Sequence, residues 1–147
     1  MRIALTFILI ALNGCATYSV PKDEYVQYDK ENQSPRAQMQ MLFFVSPAGA
    51  VALPSTYPSN SIAGIPCFDS NGEKVFLYTD KNTQVEFTSK STNDVVKMYF
   101  DTVFLVERKL VGLRSRLIQS MTRQIALDDI DKVEITAEFP KTRKIEK

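Results

Sequence analysis

Between Lys132 and Phe139 the chain alternates without a fault: Val133, Ile135, Ala137 and Phe139 fall against Lys132, Glu134, Thr136 and Glu138. Successive side chains of a strand point to opposite faces, so a period of two describes a strand with one face buried and one in water. A helix repeats at 3.6 residues and would scatter these positions around its circumference. Just upstream, Gln124 to Leu127 reads as a short strand, and Asp128-Asp129-Ile130-Asp131 as one tight turn joining the pair. The Asp run lacks the Gly and the distant Glu of a calcium loop, so a capped turn is expected there.

The same grammar extends back to Pro66. Asn71-Gly72, two residues that tolerate positive φ, predicts a hairpin between Ile65–Phe68 and Lys74–Thr79. Asp80-Lys81-Asn82 turns the chain into Gln84–Thr88, which again alternates polar and apolar. Lys90–Asp94 is the next turn. Val95–Phe100 and Thr102–Val106 could carry a helical stripe through Val95, Met98, Tyr99, Thr102, Val103 and Val106, but their Val, Phe, Tyr and Thr content favours strand. Glu107-Arg108-Lys109 leads into Leu110–Arg114, where Gly112 predicts a bulge or a sharp bend.

The stretch before Pro66 is less periodic. Residues 16–40 are polar, broken by Pro21 and Pro35, and read as a flexible tether. Ser34-Pro35 could cap a short helix over Arg36–Met41; an edge strand over Gln40–Val45 is the preferred reading. Ser46–Pro66 holds prolines 47, 54, 58 and 66 and reads as a loop laid across the core, with a binding loop as the bolder alternative.

The fold class expected is mainly β: a small antiparallel meander, preceded by a signal segment and a tether. In its pattern of short strands, a central Gly and a last pair joined by one helical turn, it is similar to SH3-like and Sm-like barrels, which implies partial closure. The expected division is 1–14 as signal peptide, 15–40 as lipidated N-terminus and tether, 41–139 as one β-rich domain, and 140–147 as a frayed basic tail.

Met1 to Gly14 has Arg2 as its only charged side chain, and Ile3 to Leu12 is apolar apart from Thr6. As a helix this apolar run would be about 15 Å long, about half of a hydrocarbon core, so it cannot span. A basic start, a short apolar middle and a small residue before the cut describe a secretory signal peptide. Leu12-Asn13-Gly14-Cys15 resembles the lipobox of bacterial lipoproteins, with Leu12 at the apolar position, Gly14 at the small one and Cys15 at the modified one; Asn13 is an uncommon residue at its position. The resemblance implies acyl chains on Cys15 and cleavage before it. Two or three chains hold durably where one holds weakly. Ala16 in place of Asp after the cysteine implies, by the same resemblance, the outer membrane facing the periplasm, or the outer face of the cell membrane in a Gram-positive cell.

The chain contains no histidine, which removes Ser-His-Asp and Cys-His arrangements and imidazole metal sites. No Walker loop, GxGxxG or EF-hand spacing is present, so no enzyme, cofactor or metal is predicted; a carboxylate-only enzyme is the third reading. With Cys15 acylated, Cys67 has no partner and is expected to be buried. A formal charge of +1 argues against nucleic acid. The charge is uneven, however: residues 15–106 hold seven basic and ten acidic side chains, and residues 107–147 hold ten basic and seven acidic. Arg108, Lys109, Arg114, Arg116 and Arg123 lie in one segment whose only acid is Glu107 and form a candidate face for an anionic partner. The functional expectation is a lipid-anchored envelope module, an accessory subunit of an envelope assembly with a protein partner. The alternative is a stress-related envelope protein binding a small anionic ligand.

Overall fold

A computed structural model describes residues 14–146. The apolar run before Gly14, with Leu12 and Asn13 of the lipobox, lies outside the described residues, as does Lys147.

The chain is mainly β and antiparallel. Its elements are β1 (Ala16–Val20), α1 (Lys22–Asn32), β2 (Arg36–Ser46), β3 (Gly49–Ser59), β4 (Gly64–Phe68), β5 (Lys74–Tyr78), β6 (Gln84–Ser89) and β7 (Val95–Tyr99), then β8 (Phe104–Val106), β9 (Lys109–Leu113), β10 (Thr122–Ala126), β11 (Ile130–Ala137) and β12 (Lys141–Lys144). Single 3₁₀ turns occupy Phe100–Thr102 and Leu127–Asp129. Seven strands form one sheet in the order β12-β5-β4-β1-β11-β6-β7; β10-β9-β8 form a second, and β2-β3 stand apart as a third.

The tether expected over residues 15–40 is corrected by this topology. β1 is the middle strand of the large sheet, paired with β11 from Ala16↔Ala137 to Val20↔Val133 and with β4 through Ser19↔Phe68. It alternates Tyr18 and Val20 inward with Thr17 and Ser19 outward, a signal only five residues long. Pro21 ends the strand and opens α1, whose first turn closes when Tyr25 N–H donates to the Pro21 carbonyl at 2.9 Å. α1 is hydrophilic except for a narrow stripe, with Tyr25 and Asp29 fully buried and Val26 and Tyr28 partly so. The Tyr25 ring meets Phe87 and Phe100 edge-on at 5.4 and 6.3 Å, which fixes the helix on the sheet.

The core is the inner face of the sheet: Val85, Phe87, Leu77, Ile130 and Ile135 are wholly buried, with Cys67 among them. The hairpin at Asn71-Gly72 forms as expected. Asp69 Oδ1 accepts from the Asn71 and Glu73 amides, each at 2.9 Å, and Gly72 takes φ +77°. Residues 95–106 are strand, 3₁₀ turn and strand rather than helix.

Three further expectations are corrected. The strands do not follow a simple meander: β11 lies between β1 and β6, β12 and β7 end the hydrogen-bonded order, and no closed barrel forms among the described residues. Gly112 makes no bulge, since β9 runs in register with β10; instead, a Cβ on Gly112 would lie 2.8 Å from Met98 Sδ. The tail is not frayed, because β12 pairs with β5 and Arg143 lies over the Phe76 ring at 5.4 Å. Phe139 breaks the alternation of its strand: at φ +48° it leaves the sheet and is exposed.

Gly64 offers a test of β4–β5 packing. A Cβ there would lie 2.7 Å from the Leu77 carbonyl oxygen and against the Phe76 ring, whereas one at Gly72 would meet open space. A neighbouring strand's backbone cannot yield as a side chain does. Gly64→Ala is therefore expected to cost about 1–3 kcal/mol in urea unfolding, more than Gly72→Ala, where only the positive φ opposes the substitution. Equal costs would refute the close approach.

Candidate functional site

From Ala37 to Phe68 the chain carries no charged side chain, and most of this run is the β2–β3 hairpin. The hairpin pairs without interruption from Arg36↔Ser59 to Ser46↔Gly49. At about 3.4 Å per residue it is an arm of about 35 Å. Pro47-Ala48 forms the turn, with Gly49 at φ +127° and Ser46 Oγ accepting from the Ala48 amide at 3.3 Å. The loop expected over Ser46–Pro66 is corrected in part: Gly49–Ser59 is strand and Ala50–Leu53 lie exposed, while Ile62 and Ile65 do pack into the core.

The base of the arm is clamped to the body. Tyr57 and Ser59 are buried, and Tyr57 Oη donates to Asp101 Oδ2 at 2.8 Å. The Arg116 guanidinium lies 4.4 Å from the Tyr57 ring centre and 4.4 Å from that of Tyr99. It donates to both Asp101 oxygens, at 2.6 and 3.2 Å, and to the Lys81 carbonyl. Burial and the bond to Asp101 push the Tyr57 hydroxyl up to about 12. Gln40 Nε2 reaches the Arg116 carbonyl at 2.9 Å, and buried Asn60 donates to the carbonyls of Phe100 and Val103 at 2.9 and 3.1 Å.

Beyond the clamp the arm is apolar on both faces. Paired residues share a face, so Leu42, Phe44, Val51 and Leu53 line one side and Met39, Met41, Phe43, Val45, Ala50 and Ala52 the other. Phe43 is 73% exposed, Val45 86% and Met39 72%. A sheet that serves only as scaffold in water keeps one polar face, and a lone hairpin is marginal. This one is held by its base and presents its apolar half outward.

The five cations expected to share a face are dispersed among four separate grooves. Arg108 forms an exposed two-pronged pair with Asp128 at 2.9 Å, which holds that carboxyl below its usual range. Lys109 opens β9 beside Asp94 and Asp129. Arg114 and Arg123 alone are brought together, across a groove of about 770 Å³ that also contains the Glu86–Lys97 pair and Asp94. Arg116 is the half-buried clamp. β9 ends at Leu113, so Arg114 and Arg116 do not continue it onto one strand face. Cys15 is exposed, one residue before β1; Cys67 is buried, and burial pushes its thiol up to about 11. Asp129 accepts from Ser89 Oγ at 2.6 Å and the Ser91 amide at 2.9 Å, so it braces the facing Lys90–Asp94 turn; a tight turn forms at Leu127–Asp129 as expected, but no side chain caps it.

A further buried polar group lies on α1. Asp29 is 2% exposed, and neither its carboxylate oxygens nor the Tyr25 hydroxyl have a hydrogen-bond partner among the described residues. Burial pushes the Asp29 carboxyl up to about 7. Comparison with known proteins finds no family model, no curated protein and no solved structure that matches the chain.

Proposed function

We propose that the chain is a lipid-anchored binding module of the bacterial cell envelope, an accessory subunit of an envelope assembly, and that the β2–β3 arm is its contact surface. The observation that carries this reading is the arm itself: uncharged beyond Arg36, clamped at its base and apolar on both faces of its outer half. Contiguous exposed apolar surface of this kind marks an interaction site. Acyl chains on Cys15 would tie the large sheet to a bilayer with almost no linker, since β1 begins at Ala16.

Crosslinking in intact cells followed by mass spectrometry tests the reading, comparing the native chain, Cys15→Ser and a Phe43→Ser/Phe44→Ser variant. Both phenylalanines are exposed, so their removal is expected to change stability by no more than about 0.5 kcal/mol each. The native chain is expected to capture a small set of envelope proteins, further copies of itself included, and each variant to lose most of the capture. Undiminished capture by the double variant would remove the arm from the proposal, and loss of all capture by the native chain would remove the module.

A further inference from the structure

The two edges of the arm differ, and the difference follows from its register. Ser46 and Gly49 pair across a two-residue turn and so exchange both backbone hydrogen bonds; every second pair outward from there does the same. At the pairs between, Ala37, Met39, Met41, Phe43 and Val45 of β2 and Ala50, Ala52, Pro54, Thr56 and Pro58 of β3 turn their backbone groups away from the hairpin. Pro54 and Pro58 fall in this outward phase, the only one a residue without an N–H can occupy. The outer edge of β3 is thereby stripped of two donors, and its Thr56 carbonyl is taken by Gln119 Nε2 at 2.6 Å. The outer edge of β2 keeps all five donors and all five acceptors, and no other strand among the described residues pairs with it.

We propose that this open edge pairs with β2 of a second copy of the chain, antiparallel and centred on Met41; the inference rests on the arm being the contact surface. The outward positions are symmetric about residue 41. Met41 meets its own copy, Met39 meets Phe43, Ala37 meets Val45, and Arg36 falls opposite Ser46, so no like charges face each other. Five such pairs form about ten backbone hydrogen bonds, a two-fold interface that needs no other sequence. They also join the Met39, Met41, Phe43 and Val45 faces of the two arms into one apolar surface. The ends of the large sheet carry edge charges that the arm lacks: β7 holds Lys97, paired with Glu86, and β12 holds Lys141, Arg143 and Lys144, so pairing β12 with its own copy would bring like charges together.

The register makes the test specific. In the full-length chain produced in its own cells, Met41→Cys places two thiols on paired residues whose Cα atoms are about 5.5 Å apart, within disulfide reach. Val45→Cys places them about 27 Å apart along the strands. A disulfide-linked dimer from Met41→Cys and none from Val45→Cys is expected. In detergent, sedimentation of the native chain should give twice the mass of one chain. Met41→Pro removes one outward donor and should abolish the dimer, while Ala52→Pro, at the same phase of the guarded edge, should keep it; the cysteine pair decides the matter if either proline variant fails to fold. Equal linking from both cysteines would indicate collapse of apolar tips without strand pairing and overturn the proposal. Linking of Met41→Cys to a different protein would overturn the second copy and leave the arm as contact surface. A native chain that sediments as one molecule, with no linking from either cysteine, would overturn the dimer, and absence of any captured envelope protein would take the wider reading with it.

Discussion

Asp29→Asn is expected to raise the melting temperature at pH 8 by roughly 5–10 °C and to change it little at pH 5. Asp29 is buried without a hydrogen-bond partner among the described residues, and burial favours its neutral form, moving the carboxyl up to about 7. In the unfolded chain the same group titrates near 3.9. Between those values the folded state holds a proton that the unfolded state has released, so stability falls as pH rises. The loss begins near pH 4 and is complete above pH 7; a shift of about three pH units corresponds to roughly 4 kcal/mol. Asn removes the titration but still buries an unpartnered amide, so it recovers only part of that energy. Melting scans from pH 4.5 to 9 check both statements: the native chain should slope downward and the variant should be flatter. A native chain equally stable at pH 5 and pH 8 would sink the assignment.

Arg116→Met is expected to cost about 2–4 kcal/mol and to loosen the arm before the body unfolds. Side chains of the Arg116–Asp101 pair are only 13% and 14% exposed, so removing the guanidinium leaves a carboxylate in a setting that solvates it poorly. The stacking on Tyr57 and Tyr99 is lost in the same step. Asp101→Asn in the Arg116→Met background should return part of the cost, because the orphaned charge goes with it. Hydrogen exchange supplies the second readout: amides of β2 and β3 near Gln40 and Tyr57 should exchange faster while those of β6 and β11 stay protected. Uniform acceleration across both groups would show that the pair supports the whole fold and not the arm.

The parts of the fold legible in the sequence are those whose signal is local. β4, β5, β6 and β11 fall within a few residues of their expected bounds, β6 and β11 because they alternate, β4 and β5 because Asn71-Gly72 marks the turn between them. β1 was hidden by its brevity and by a partner at the far end of the chain, a relation no short window contains. α1 was hidden because its buried stripe is so narrow; a helix that buries an aspartate has little amphipathic pattern to read. The arm was misjudged for a more instructive reason. Prolines read as breakers, yet Pro54 and Pro58 lie four residues apart on the phase where a strand donates nothing to its hairpin partner. The absence of any charge from Ala37 to Phe68 was the available signal. The clustered cations misled in the opposite direction: nearness in sequence did not place them on one face, because β9 stops at Leu113 and a return turn carries Arg116 inward.

The place of β1 also sets the order in which the molecule can be built. Synthesis delivers this strand among the first described residues, but its continuous partner, Val133–Ala137, is delivered among the last. Until then the middle of the sheet has little to hold it, apart from the single bridge at Ser19↔Phe68, and β6–β7 has no β11 to join it to the strands on the other side. The large sheet is therefore completed in one late step, with long-range pairing setting the pace. A chain whose central strand waits for a partner this far downstream keeps its two halves apart until that partner is made.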